Sequence, residues 1–94
     1  MGRTKKYQSI RQRYLLLKYG ITLEQYSVML AEQEGKCALC LNFPKKNKLA
    51  VDHNHLTGRN RGLLCVRCNV ILGQVEQNPE LFHRMFQYLN KWKV

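Results

Sequence analysis

Asp52, His53, Asn54 and His55 form an unbroken polar run between two Cys-x-x-Cys pairs, Cys37/Cys40 and Cys65/Cys68, and the second pair leads directly into Asn69. Four thiols in two tight pairs, separated by 24 residues (41–64), have the ligand type and spacing of a tetrahedral structural Zn²⁺ site in which each pair closes a short knuckle. Such a site needs none of the Asp, His or Asn side chains beside it. The leftover groups suit a second, catalytic metal centre. Asp52 offers the hard oxygen that Mg²⁺ or Mn²⁺ prefers, and His53 or His55, titrating nearest neutrality, can take the proton of an attacking water. Along a strand, neighbours point to opposite faces, so Asp52 and His53 converge on one centre only where the strand bends or ends. Asn69 can bring an amide oxygen to the same centre or can cap the helix that follows, and spacing alone leaves both roles open. A ligand swap, with His53 or His55 replacing a cysteine, competes poorly because four cysteines already fill a tetrahedral shell.

The charge balance names the partner class. Sixteen Lys and Arg against six Asp and Glu give +10 on 94 residues, which calls for a polyanion. Arg3, Lys5, Lys6, Arg11, Arg13 and Lys18 put six positive charges and no acid into the first twenty residues. That stretch can follow phosphates with salt-dependent, sequence-independent affinity, or it can be a solvated tail. Lys45, Lys46 and Lys48 on one side of the polar run, and Arg59, Arg61 and Arg67 on the other, tip the reading toward nucleic acid, with these side chains positioning backbone and not reading bases.

A chain this short forms one small domain whose apolar core is marginal unless something staples it, and zinc would be the staple. The rival use of four cysteines, two disulfides, needs an oxidising compartment. The N-terminal stretch has no apolar segment of the kind a secretory signal carries, Leu15-Leu16-Leu17 is too short to span a membrane, and Lys6 stands where a myristoylation motif wants Ser or Thr. The expectation is a reduced, intracellular protein, monomer or weak dimer.

The elements that must position these groups can be placed coarsely. Residues 1–20 read as a basic arm or helix. Thr22 and Gln25 make a capping box, and Leu23, Tyr26, Met29 and Leu30 recur at helical spacing, so a helix is predicted over about 22–34 with Gly35 as its stop. Leu49-Ala50-Val51 leads into Asp52 and Gly62-Leu63-Leu64 leads into Cys65, with Thr57-Gly58 as a turn between them. This predicts two short antiparallel strands in a hairpin or an Ω-like loop. Val70, Ile71 and Val75 predict a helix ending at Asn78-Pro79. From Pro79, the spacing of Leu81, Phe82, Met85, Phe86, Leu89 and Trp92 predicts a last helix whose apolar stripe packs on the core. The organisation expected is a basic arm at 1–20, a zinc-bound core at 21–78 and a C-terminal helix at 79–94, in a small α+β fold.

The run Val-Asp-His-Asn-His-x-Thr-Gly-x-x-Arg-Gly-Leu-Leu-Cys-x-x-Cys-Asn over residues 51–69, with Cys37-x-x-Cys40, resembles the phage recombination endonuclease VII family within the HNH, or ββα-metal, nucleases. Tyr19-Gly20-Ile21-Thr22 and Gln25-Tyr26 resemble that family's lead-in helix, and the resemblance covers roughly residues 20–75. It implies two antiparallel strands and a helix around a divalent metal, with zinc held by Cys37, Cys40, Cys65 and Cys68. It further implies that Asp52 and Asn69 hold the catalytic Mg²⁺ or Mn²⁺, that His53 is the general base, that His55 assists, and that the products carry 5′ phosphates. A phage-encoded or prophage-like protein working in the cytoplasm of a bacterial host follows from the same resemblance. Asn54 stands where the family's resolvases commonly have an acid. A non-catalytic zinc-knuckle module for DNA or RNA explains the cysteines and the charge but leaves Asp52, His53 and Asn69 idle, and a zinc-stabilised interaction module leaves the charge idle too.

Overall fold

A computed structural model describes residues 2–93, with side chains from Ile10 to Lys93. Its order is α1 (Gly2–Tyr19), α2 (Leu23–Glu32), β1 (Ala50–His53), β2 (Asn60–Leu64), α3 (Val66–Gln77) and α4 (Pro79–Lys91). This is a small α+β fold with one two-stranded antiparallel sheet.

Helix α1 is basic, and no helix among the described residues is long and apolar enough to cross a membrane. It ends at Gly20, whose φ of 70° is the left-handed conformation that glycine adopts without strain. There the Gly20 N–H closes the last turn on the Leu16 carbonyl at 2.9 Å. Thr22 and Gln25 then start α2 with the expected reciprocal cap: the Gln25 N–H donates to the Thr22 hydroxyl at 3.0 Å, and the Thr22 N–H donates to the Gln25 side chain at 2.8 Å. The chain leaves α2 at Glu32, two residues before the predicted end, because Glu34 and Gly35 both take positive φ.

The core is Leu15, Ile21, Tyr26, Cys37, Leu49, Val51, Leu63 and Leu64, all buried. Leu15 belongs to α1, so the second half of that helix is part of the core and not an arm. Two further contacts dock it: Gln12 accepts from the Leu23 N–H at 2.7 Å, and the Arg11 guanidinium lies 5.2 Å from the centre of the Tyr26 ring. Tyr26 in turn donates its hydroxyl proton to the Leu49 carbonyl, satisfying a buried polar group at the entrance to β1.

Helix α3 packs on both strands, and α4 packs on α3. Asn78 caps α4 by accepting from the Leu81 N–H at 3.2 Å, with Pro79 in the first turn. The predicted apolar stripe is present but does not reach the core. No residue of α4 is buried, and Met85, Phe86, Leu89 and Trp92 are exposed. A helical period says that one face is apolar; it does not say what covers that face.

Candidate functional site

The four cysteines converge. Their sulfurs all lie within 4.8 Å of one another, and the Cys40 and Cys65 sulfurs are 3.9 Å apart. A tetrahedral shell with Zn–S bonds of about 2.3 Å needs sulfurs about 3.8 Å apart, so the donor set and its spacing fit Zn²⁺. Each pair sits in a knuckle braced by its own backbone, with the Leu39 N–H directed at the Cys37 sulfur and the Cys68 N–H at the Cys65 sulfur, both at 3.4 Å. The Cys65 sulfur thereby caps α3. Proton affinities also diverge within the cluster. Burial raises the Cys37 thiol, but the backbone N–H groups of Cys40, Cys65 and Leu39 outweigh it and bring it down to about 6. Cys68 is pushed up to about 12, first by its hydrogen bond with Cys65 and then by burial. Four thiols this close cannot all ionise by themselves, and a thiophilic dication is what lets them.

The cysteine cluster positions the hairpin. Cys37 is followed by Ala38, whose N–H donates to the Leu63 carbonyl at 3.1 Å, and Cys65 follows β2 directly. In the hairpin Ala50 pairs with Leu64, Val51 with Leu63 and Asp52 with Gly62, but His53 pairs with Asn60. Arg61 is skipped, so it is the extra residue of a β-bulge, the device by which a strand re-aims a side chain. The irregularity falls between Asp52 and His53, where convergence of those two side chains requires a break from regular alternation. The turn beyond is built by Asn54. Its side-chain oxygen accepts from the Leu56 and Thr57 N–H groups at 2.8 and 3.1 Å, and Gly58 closes on its carbonyl at 2.7 Å with a φ of 75°.

Asp52 is buried, at 7% exposure, and it is not alone. Arg61 Nε donates to Asp52 Oδ2 at 2.8 Å and Arg61 Nη2 to Oδ1 at 2.9 Å. The same guanidinium reaches α3, where Nη1 and Nη2 donate to Glu76 Oε2 and Oε1 at 2.9 and 3.1 Å. Arg61, read from its charge as a phosphate contact, is thus engaged by two acids, and charge in a sequence does not reveal which acids the fold brings to it. Its hydrogen bonds hold the Glu76 carboxyl below the usual carboxylate range, with the charges on Arg61 and His55 adding smaller effects against burial.

The His53 and His55 rings meet at a tilt of 51° with centres 4.6 Å apart, and the Tyr19 ring makes an edge contact with His53 at 5.5 Å. Tyr19 is held by Asn60, whose side-chain amide donates to the Tyr19 carbonyl at 2.8 Å, leaving Asn60 Oδ1 buried without a partner among the described residues. Lys18 donates to the Tyr14 hydroxyl at 3.2 Å and lies over both the Tyr14 and Tyr19 rings. That hydrogen bond, then one with Tyr19, lowers the Tyr14 phenol, so a cation-aromatic cluster adjoins the histidines. Sequence reasoning missed it, although Tyr14 and Lys18, four residues apart on a helix, were the available signal. Asn69 lies in the first turn of α3, where its N–H donates to the Cys65 carbonyl at 2.9 Å. Cys65 is the cap, so the capping role left open for Asn69 is taken. Arg59, Lys45, Lys46, Lys48 and Arg67 are exposed around the hairpin and knuckles. Arg11 is half-buried on Tyr26 and Arg13 is exposed, while the side chains of Arg3, Lys5 and Lys6 lie outside those described.

The chain is similar to the "Gene 59 protein" of Mycobacterium phage D29 and that of Mycobacterium phage L5, each 43% identical, over 79 and 77 residues. These matches take in 82% and 80% of this chain but 48% and 47% of the relatives, so the chain spans about half the length of the curated relatives it matches. No solved structure matches it. The pattern of the recombination endonuclease VII family covers residues 12–91, from the docked part of α1 through the cysteine cluster, the hairpin and Asn69 to the end of α4. By that match this chain belongs to the recombination endonuclease VII family.

Proposed function

We propose that the chain is a metal-dependent endonuclease that hydrolyses DNA phosphodiester bonds by HNH chemistry. The observation that carries the reading is a buried carboxylate, Asp52, at a register break beside His53, on a hairpin against which the Asn69-bearing helix packs. Asp52 and Asn69 offer hard oxygen donors suited to Mg²⁺ or Mn²⁺. When bound there, such an ion supplies positive charge against the oxygens of the scissile phosphate. His53 takes the proton of the attacking water. The tilted contact with His55 and the edge contact with Tyr19 give its imidazole two aromatic neighbours that help to orient it. The lysines at 45, 46 and 48, with Arg59 and Arg67, hold the DNA backbone without reading sequence. Bacteriophage DNA in a bacterial cell is the setting that fits phage relatives.

One observation favours the rival reading, a non-catalytic zinc module that binds nucleic acid: the Arg61 pair gives Asp52 a structural partner. A plasmid-nicking assay separates the two. Purified protein with Mg²⁺ or Mn²⁺ should convert supercoiled plasmid to open-circular or linear form, and Asp52→Asn and His53→Ala should each abolish this while still binding the plasmid. Wild-type protein that binds DNA and cuts no form of it across Mg²⁺, Mn²⁺ and Ni²⁺ would establish the rival.

A further inference from the structure

Glu76 has no part in the chemistry read above, yet it is joined to the centre through Arg61. The guanidinium uses all three of its nitrogens on two carboxylates, bidentate to Asp52 at 2.8 and 2.9 Å and bidentate to Glu76 at 2.9 and 3.1 Å. The fork geometry of arginine is what allows this, and lysine cannot reproduce it. Arg61 reaches both acids because it is the bulged residue of β2, freed from the regular alternation of the hairpin. Glu76 follows Asn69 by seven residues, two helical turns, so both occupy one face of α3. The tie therefore runs from the carboxylate on β1, through β2, to the face of α3 that carries Asn69.

We infer that Arg61 and Glu76 are positioning residues of the catalytic centre. Arg61 orients the Asp52 carboxylate, Glu76 orients Arg61, and together they fix the spacing between Asp52 and the Asn69 face of α3. The inference rests on the proposed reading of Asp52 and Asn69 as the pair that holds the catalytic cation. Each carboxylate oxygen of Asp52 accepts one hydrogen bond from Arg61 and keeps further lone pairs for a cation, and a metal-binding carboxylate is ordinarily oriented by such a partner. The charges agree with this. Asp52 and Arg61 alone would cancel, and Glu76 restores a net negative charge where a dication must bind. A phosphate contact is the poorer account of Arg61, since a DNA phosphate approaching it would face two carboxylates.

The test uses the full zinc-loaded chain and the variants Arg61→Lys and Glu76→Gln. Five quantities are measured: Mn²⁺ affinity in the absence of DNA, from the electron paramagnetic resonance of free Mn²⁺; kcat and KM on plasmid; the salt dependence of DNA binding without added Mg²⁺ or Mn²⁺; and melting temperature. Arg61→Lys should weaken Mn²⁺ binding and lower kcat by about 10–100-fold, the range expected when the partner of a metal ligand is lost. Glu76→Gln should move both in the same direction by a smaller factor, and KM and the salt slope should stay as in the wild type. Should Arg61→Lys fail to fold, the Glu76→Gln result decides, because Glu76 is a surface residue of α3. Wild-type Mn²⁺ affinity and kcat in the folded variants would overturn the inference while leaving the nuclease reading intact. Tighter DNA binding by Glu76→Gln, with a salt slope steeper by about one unit, would overturn it by making Arg61 a phosphate contact released from its acid. A wild-type protein that neither binds Mn²⁺ nor cuts DNA would defeat the nuclease reading itself, and the inference with it.

Discussion

Leu15, Leu16 and Leu17 are consecutive in α1, and the fold treats them differently: Leu15 is 1% exposed, Leu16 45% and Leu17 80%. Substituting each in turn by alanine therefore measures whether the second half of α1 is docked. Removing a fully buried leucine side chain costs about 2–5 kcal/mol, the spread reflecting how far the site collapses. In a domain of this size each kcal/mol lowers Tm by roughly 4–8 °C, so Leu15→Ala should melt about 8–40 °C below the wild type. Leu17→Ala removes a side chain already in water and should stay within about 0.5 kcal/mol. Leu16→Ala should fall between them. Thermal unfolding followed by circular dichroism, with one equivalent of Zn²⁺ throughout, provides the comparison. Equal melting temperatures for Leu15→Ala and Leu17→Ala would refute the docking of α1, and with it the placement of Tyr19 against His53, since Tyr19 is one helical turn beyond Leu15.

The chain should carry one Zn²⁺, and Cys40→Ser or Cys65→Ser should cost both zinc and the folded far-ultraviolet spectrum, because metal binding and folding form one equilibrium in a domain this small; metal analysis and circular dichroism check this. Adding Zn²⁺ to metal-free protein at pH 7 should release at least one proton, since Cys68 holds its proton up to about 12 and must lose it to bind; an indicator dye in weak buffer reads the release, and none would contradict a four-thiolate site. Deleting residues 2–9, which removes Arg3, Lys5 and Lys6 but keeps Gln12 and Leu15 in place, should flatten the slope of log affinity against log salt by about two to three units if each charge meets a phosphate. An unchanged slope would assign duplex affinity to the lysines and arginines around the hairpin.

What could be read from the sequence was what local chemistry determines. The cysteine spacing, the Thr22/Gln25 cap, the Asn78-Pro79 helix start and the two short strands all follow from residue type over a few positions, and each is present. What escaped was tertiary. Residues 1–20 were legible as a basic segment, but the burial of Leu15 depends on α2 and the hairpin meeting it. Arg61 was legible as a charge near the site, but its pairing needs a bulge in β2 and an acid twelve residues beyond the end of that strand. The α4 stripe was legible as amphipathic, while its exposure is a property of where α3 points it. For Asn69, spacing allowed two roles, and the cysteine sulfur that caps α3 removed one of them.

Gln33 closes the sheet in a way that bears on how the molecule can associate. Its side-chain amide accepts from the Leu63 N–H at 2.9 Å and donates to the Leu63 carbonyl at 2.9 Å, while also donating to the Lys36 carbonyl at 2.8 Å. These are the two bonds that a neighbouring strand would make to Leu63, made instead by one side chain. At Leu63 the hairpin thus offers no unpaired backbone to a third strand, whether from another copy or from an unfolded neighbour, and a two-stranded sheet that would otherwise be an open template for growth is sealed on that edge. Replacing Gln33 by an apolar residue of similar size would reopen that edge, and the expected symptom is aggregation during folding.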